Sequence, residues 1–262
     1  KVAFAGMDTS ASLTVSSTDT VTIFCEKGIA VSNLQLTVNS ALVDPEAWAA
    51  AFMGDGGHPS VCSFDNAAVN INAGGDVFAV AFGSVVMNNT IFTAVCAGSL
   101  GGTDDFFTLN NTVLTVQSTG LYVGGDMTVR GNSAVDFVST DSAYPAIVIG
   151  GSLRFEDFTG SFEVSFTDPA AALPAVRAAA DITFTAGGVD ASGDYDLHGA
   201  QIALLEPEPG DPFRTFAVDE GAGWVPDTSV NVTPISGKSA HLKVSFVSLP
   251  SLLYNIPILT RR

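Results

Sequence analysis

The chain has 262 residues and a formal net charge of −17, because only ten Lys and Arg stand beside 27 Asp and Glu. This scarcity of cations excludes the basic patches with which proteins bind nucleic acids and anionic membranes. With 47% hydrophobic and 14% charged residues, the chain is too apolar for a disordered protein. It is long enough for one large domain or two smaller ones. No apolar run approaches the roughly 18 to 20 residues of a transmembrane helix, so we expect no membrane span.

Residues 2 to 43 predict three or four strands, because short alternating or apolar runs lie between polar turns. The runs are VAFAG, SLTVSS, DTVTIFC and NLQLTVNSALV. A short helix is predicted next, in DPEAWAAAFMG. Asp44 suits its N-cap, Pro45 its first position and Gly54 its end, and the Ala-rich body favours helix. Helix and following loop together cover residues 44–59.

From residue 60 onward the chain predicts a rough repeat. Gly-Gly pairs begin at residues 56, 74, 101, 124, 150 and 187, and NNTIF recurs as NNTVL 22 residues later. Strict alternation is clearest between residues 120 and 167. A recurrence of about two dozen residues is typical of the coils of a β-solenoid. We therefore predict an all-β fold, a parallel β-solenoid, with a two-sheet β-sandwich or jelly roll as the alternative.

The last third of the chain predicts a division into body and terminal segment. Residues 168–186 form an insertion, either a short helix or an extended excursion around Pro174. The segment EPEPGDP is a rigid break, which places a β-solenoid body at 1–206. Its parts are N-terminal strands at 1–43, the helix and loop, and coils at 60–206. A strand-rich cap or assembly segment follows at 207–262.

Candidate sites of covalent modification are few. Three sequons predict N-glycosylation at Asn88, Asn110 and Asn231 in a secreting host. Of the three cysteines, Cys25 and Cys62 are expected to form a disulfide, whereas Cys96 is expected to be a buried small residue. The absence of an initial Met indicates removal of an N-terminal piece. The terminal pair Arg261-Arg262 indicates a processing site for a dibasic-specific protease, with an ordinary C-terminus as the alternative.

No motif of catalysis or cofactor binding is recognisable, and we predict no catalytic residues. His58, His198 and His241 lie in unrelated contexts. One acidic cluster is a weak candidate for a calcium-binding site, because its carboxylates are spaced through a Gly-rich turn. The cluster comprises Asp190, Asp194 and Asp196. Because no Glu closes the loop at the right distance, we predict solvated turn acids and no cofactor, with a calcium site as the alternative. Weaker acidic candidates are Asp104, Asp105, Glu206 and Glu208.

The runs VGGDMTVRGNSAVDFVST and GGSLRFEDFTGSFEVSF resemble the repeats of secreted β-helix surface proteins, such as adhesins and autotransporter passengers. The resemblance covers residues 60 to 205. It implies an extracellular structural or adhesive role without catalytic residues.

The leading hypothesis is therefore a secreted structural or adhesive subunit of a cell-surface layer, appendage or filament. Its partners would be further copies of itself or other surface proteins, and its terminal strands would form the contacts. Two alternatives remain. One is a polysaccharide-binding module or polysaccharide-degrading enzyme, and the other is a viral coat or fibre protein.

Overall fold

The chain folds as a parallel β-solenoid, which confirms the predicted fold class. The computed structural model describes residues 2–18, 21–24, 27–41, 50–53, 60–168, 175–179, 182–190, 193–198, 201–204, 214–217, 230–234 and 241–246. Within these residues the chain forms strands and turns and no helix. Each coil contributes one strand to each of three columns, and strands of successive coils pair in parallel within a column.

The three columns follow one another in every coil. Column 1 contains β1 (Val2–Ala5), β4 (Gly28–Ser32), β7 (Val61–Asp65), the second half of β9 (Asp76–Asn88), the second half of β11 (Gly101–Asn110), β14 (Met127–Arg130), β17 (Leu153–Glu156) and β20 (Ile182–Ala186). Column 2 contains β2 (Ser12–Ser17), β5 (Gln35–Ser40), β8 (Ala68–Ala73), β10 (Ile91–Cys96), β12 (Val113–Ser118), β15 (Ala134–Ser139), β18 (Ser161–Phe166) and β22 (Gly193–His198). Column 3 contains β3 (Val21–Phe24), β6 (Ala50–Met53), the first halves of β9 and β11, β13 (Leu121–Val123), β16 (Ile147–Ile149), β19 (Val176–Ala178) and β23 (Gln201–Leu204).

The core consists of inward side chains that stack from coil to coil. In column 2, Val69, Phe92, Leu114 and Val135 occupy one register position and are all buried. They lie 23, 22 and 21 residues apart, which confirms the predicted coil length of about two dozen. Because strands alternate in and out, each coil adds several such residues to the core. Full burial of a large apolar side chain contributes roughly 1.5–3 kcal/mol.

Four phenylalanines from the three columns meet in the interior of the N-terminal half. The ring centroids of Phe52 and Phe78 lie 5.6 Å apart in a stacked arrangement. Those of Phe64 and Phe92 lie 5.4 Å apart, edge to face. Such aromatic pairs contribute beyond their buried area, so this cluster ties the three columns together.

The predicted helix is wrong in its second half. Residues 50–53 form β6, which pairs in parallel with β3 and β9. Ala51 and Phe52 are fully buried there. Pairing on both sides and the burial of Phe52 outweigh the helix propensity of the alanines, since propensity is a weak local preference. Residues 42–49 and 54–59, which hold the rest of the helix and its loop, lie outside the described residues.

Two other sequence predictions require correction. The described part of residues 2–43 contains five strands, because GIAVS forms β4 in addition to the four predicted runs. The supposed insertion at 168–186 supplies regular strands, since β19 pairs with β16 and β20 pairs with β17. The described part of this segment therefore belongs to the repeat.

The Gly-Gly pairs mark several different places rather than one position of the repeat. Gly74–Gly75 joins column 2 to column 3, whereas Gly124–Gly125 and Gly150–Gly151 join column 3 to column 1. At the latter corner the coils approach closely, and a Cβ atom on Gly125 would lie 2.0 Å from the carbonyl oxygen of Asp105.

The C-terminal strands continue both sheets in the antiparallel sense. β24 (Arg214–Ala217) pairs with β23. β26 (His241–Phe246) pairs with β22 and with β25 (Val230–Pro234). β21 (Val189–Asp190) forms a short antiparallel pair with β20. In the described part of the chain, no helix is long and apolar enough to cross a bilayer.

Candidate functional site

The corner between columns 1 and 2, called the Asn corner below, is built on asparagine. Its residues are 33–34, 66–67, 89–90 and 111–112. The first residue of each pair is an Asn with φ between 46° and 49°, the left-handed region that Asn tolerates better than most residues. The Asn89 N–H donates to the Asn110 carbonyl at 2.9 Å. The same φ is found at Asp157, and Gly131 has φ 59°.

Side-chain amides link the coils along this corner. The Nδ2 atom of Asn66 donates to Oδ1 of Asn33 at 2.7 Å. The Oδ1 atom of Asn111 accepts from the backbone N–H of Asn132 at 3.1 Å. These bonds account for Asn at this corner before β5, β8 and β12. The register pairs Asn88 with Asn110 and Ile91 with Val113, which confirms the structural equivalence of NNTIF and NNTVL.

Two predicted glycosylation sites lie at the Asn corner. Asn88 and Asn110 end their column 1 strands, and Asn110 Nδ2 lies 3.4 Å from Asn88 Oδ1. The sequon hydroxyls are buried, since Thr90 and Thr112 are 1% and 0% exposed. The Oγ1 atom of Thr112 donates to the carbonyl of Met87 or Asn110, at 3.1 and 3.0 Å. Glycosylation stays a prediction, and the third site, Asn231, lies in β25.

The described cysteines are core residues. Cys62 is buried in β7, and Cys96 is buried at the end of β10. Burial, with a smaller contribution from Asp76, raises the pKa of the Cys96 thiol to about 12, so the thiol is protonated at neutral pH and inert as a nucleophile. Cys25 lies outside the described residues, and its pairing with Cys62 stays a prediction. The processing pair, Arg261 and Arg262, also lies outside them.

The predicted calcium cluster is divided between two strands. Asp190 ends β21, whereas Asp194 and Asp196 occupy alternate positions of β22. In the backbone register, Asp194 lies opposite Lys243 and Asp196 opposite His241. The described residues contain no group of three or more His, Cys, Asp or Glu arranged to hold a metal.

The remaining candidates that fall within the described residues lie on β11, β22 and β26. His198 ends β22 and His241 begins β26, while His58 lies outside the described part of the chain. Asp104 and Asp105 are exposed at a register shift within β11. Glu206 and Glu208 also fall outside the described ranges.

One carboxylate has a defined structural role at the corner between columns 3 and 1. Asp126 Oδ1 accepts from the Ser152 backbone N–H at 2.7 Å, and Oδ2 accepts from Arg154 at 2.8 and 3.0 Å. The Ser152 hydrogen bond, followed by the Arg154 interaction, lowers the pKa of this carboxyl below its usual value. The group therefore fastens one coil to the next.

In the described part of the chain, the outer edge of the first coil has no paired strand and is called the open edge. Among the strands that the structure describes, β1, β2 and β3 each pair with one neighbour only. In β1 and β2 the inward side chains are partly exposed, as at Phe4, Leu13 and Val15. The carbonyls of Ala11 and Ser17 accept from the N–H groups of Gln35 and Ala41 in the next coil.

Hydrogen-bonding groups of alternate residues point to opposite sides of a parallel strand. In β2 the groups of Leu13 and Val15 therefore face β5, whereas those of Ser12, Thr14 and Ser16 face away from it. The N–H of Gly6 donates to Ser32, which by the same alternation places the N–H of Ala3 on the open side of β1. This edge is a template for another strand.

The outer surface of column 2 is a second candidate, and sequence reasoning missed it. Outward residues of β2, β5, β8, β10 and β12 alternate with the core residues. The outward residues could have been identified from the alternate positions of each predicted strand. It became visible as a two-dimensional array only when the registers between strands were known.

Comparison of the chain with protein-family models, with curated proteins and with solved structures found no match. The functional argument therefore rests on the open edge of the first coil and on the surfaces of the columns.

Proposed function

We propose that the protein is a secreted structural or adhesive subunit of an extracellular assembly, joined to further copies through the open edge of its first coil. The observation that carries this proposal is the combination of unpaired strand edges with partly exposed Phe4, Leu13 and Val15 in the same coil. A strand added to β1 or β2 would satisfy backbone groups and cover these side chains.

The geometry favours head-to-tail contacts over a symmetric dimer. The opposite end of the two sheets carries antiparallel strands, including β24 and β25, so the two ends present different edges. Contacts between unlike surfaces produce rings or open filaments. Because every copy carries a net charge of −17, like-charge repulsion opposes assembly at low ionic strength. We expect assembly to increase as salt is added.

The test is to block the open edge without loss of pairing inside the solenoid. Ala3→Pro combined with Thr14→Pro removes two N–H donors that face away from β4 and β5, positions at which edge strands tolerate proline. Ala3→Val with Thr14→Val is the matched control, because it keeps both donors. Electron microscopy and sedimentation velocity would measure assembly, and circular dichroism would verify folding.

We expect the wild-type protein and the valine control to form regular assemblies, and the proline variant to remain dispersed. Assemblies formed equally by the proline variant would contradict a contact at this edge. Deletion of residues 249–262, an apolar segment outside the described residues, tests the other end separately. Dispersed particles from every variant and from wild type would contradict the assembly function itself.

Polysaccharide binding is a second candidate, supported by two exposed tyrosines near column 3. Tyr122 projects from β13, and Tyr144 lies in the turn before β16, where the Ala146 carbonyl accepts from the Leu121 N–H. The two aromatic side chains thus lie on neighbouring coils. Glycan-array binding that is lost in Tyr122→Ala with Tyr144→Ala would favour this function, and absence of saturable binding by the wild type would exclude it.

A further inference from the structure

The outer surface of column 2 carries an uncharged, regular array of side chains. Three outward positions on each of five successive strands define this surface, called the column 2 face. It comprises Ser12, Thr14, Ser16, Gln35, Thr37, Asn39, Ala68, Asn70, Asn72, Ile91, Thr93, Val95, Val113, Thr115 and Gln117. All fifteen are uncharged, in a chain with a net charge of −17. Along the described strands, charged residues enter the same rows at Asp136, Glu163 and Asp196.

The face has a regular spacing of side chains and is bordered by short turns. Adjacent strands of a sheet lie about 4.7–4.9 Å apart, and alternate residues along a strand are separated by about 6.6 Å. The turns beside it are short, with two residues at 89–90 and 111–112 on one side and two at 74–75 and 119–120 on the other. Seven of the fifteen residues are Thr, Val or Ile. These side chains are restricted at χ1, so they have little side-chain entropy to lose on binding.

The composition of the face argues against several kinds of partner. An anionic polymer or membrane would require cations. Protein interfaces are organised around buried aromatic or Arg anchors, and the face has none. It would also bury many hydroxyls and amides, each costly without a hydrogen bond. Polysaccharides are usually held by aromatic platforms, and no aromatic side chain is present among the fifteen.

An ordered lattice of water fits these properties. Thr93 and Thr115 face each other in register, next to the exposed side chains of Ile91, Val95 and Val113. Their hydroxyls can hydrogen-bond to water while methyl groups occupy the space between the bound molecules. The strand spacing is similar to one oxygen repeat on the prism faces of ice. We propose that the column 2 face binds ice and restrains its growth.

This inference is independent of the assembly proposed above, because it uses the face of the solenoid and not its open edge. The test measures thermal hysteresis and inhibition of ice recrystallisation with the full chain. Thr93→Tyr with Thr115→Tyr places two bulky rings in the middle of the face. The matched control is Thr140→Tyr with Thr159→Tyr, which introduces the same rings at exposed turn positions.

We expect the wild type and the control to shape ice and slow its recrystallisation, and the face variant to lose both activities with an unchanged circular dichroism spectrum. Wild-type protein without either activity would overturn the inference. Full activity in the face variant would overturn it as well. Retention of the wild type on an insoluble neutral polysaccharide through this face, without effect on ice, would replace ice with that ligand.

Discussion

The Asn corner and the corner between columns 2 and 3 both connect successive strands of a coil, but they differ in how far the number of connecting residues varies. The Asn corner uses two residues in four coils, at 33–34, 66–67, 89–90 and 111–112. The corner between columns 2 and 3 is called the second corner. Among the coils in which all its residues are described, it varies from two residues at 119–120 to seven at 140–146. The difference teaches that coil register is set where side chains bond from coil to coil, while the opposite corner can accept insertions.

An insertion gives the largest expected difference between the two corners. Gly-Ser inserted after Asn111 would displace the left-handed residue and the buried Thr112, and should lower the free energy of unfolding by about 3–5 kcal/mol. The same insertion after Ser142 should cost less than about 1 kcal/mol, since longer surface loops add little entropy. Urea denaturation measures both. Equal losses would show that the two corners do not differ.

Substitution of the left-handed residue separates backbone strain from hydrogen bonding. Asn111→Ala should cost about 2 kcal/mol, because Ala is strained at this φ and the Asn132 N–H loses its acceptor. Asn111→Gly should cost about 1 kcal/mol, since only the hydrogen bond is lost. Gly131 shows that glycine fits the equivalent place. Thermal and urea denaturation would compare the pair. If both variants lost the same free energy of unfolding, the left-handed φ of residue 111 would make no contribution to stability.

The buried hydroxyl of the Asn corner should also be measurable. Thr112→Val removes a donor to backbone carbonyls in two coils and should cost about 1–2 kcal/mol. Thr115→Val, three residues later but exposed on the column 2 face, is the matched control and should change stability by less than about 0.5 kcal/mol. A loss at residue 115 as large as that at residue 112 would assign the effect to β12 and not to the corner.

The smallest effect on stability is expected at the corner between columns 3 and 1. There the Asp126 carboxylate links two coils, as the Asn amides do at the Asn corner. Since folding lowers the pKa of Asp126, its contribution is present above the unfolded pKa and is lost as pH falls through the folded pKa. The Asp126 and Arg154 side chains are 41% and 42% exposed, so solvent limits the effect to less than about 1 kcal/mol.

Asp126→Asn should therefore flatten the acid limb of the stability curve and leave its neutral part slightly lower. Urea denaturation between pH 2 and 7 would measure this. Asp136→Asn, on the outer surface of β15, controls for the change in net charge. If the free energy of unfolding depended on pH in the same way in both variants, the result would contradict the role of Asp126.

Sequence reasoning captured the elements whose local pattern agrees with their environment. Met127–Arg130 and Ser161–Phe166 alternate clearly and form strands of the solenoid. The spacing of the Asn-Asn-Thr segments also identified true equivalence between coils. These predictions were correct because the sequence pattern that identifies each feature lies within a single strand or corner.

The failures concern features that depend on neighbouring coils. Residues 50–53 favour helix locally but form a strand, because β3 and β9 supply hydrogen bonds on both sides. The strand Gly28–Ser32 is short and begins with Gly, so its propensity is weak. The open edge and the column 2 face could not be predicted either, since both are defined by registers between residues distant in sequence. Sites of modification were proposed from motifs, and the fold neither requires nor excludes them.

The stacking of the coils has a mechanical consequence. Phe92 and Leu114 occupy equivalent positions 22 residues apart, and each coil is held mainly by its two neighbours. A force that pulls on one end should therefore detach one coil at a time. Each event would release about 75 Å of chain, given the length of a fully extended residue. Under tension the protein would extend in a series of similar steps, dissipating work repeatedly while the remaining coils keep their shape.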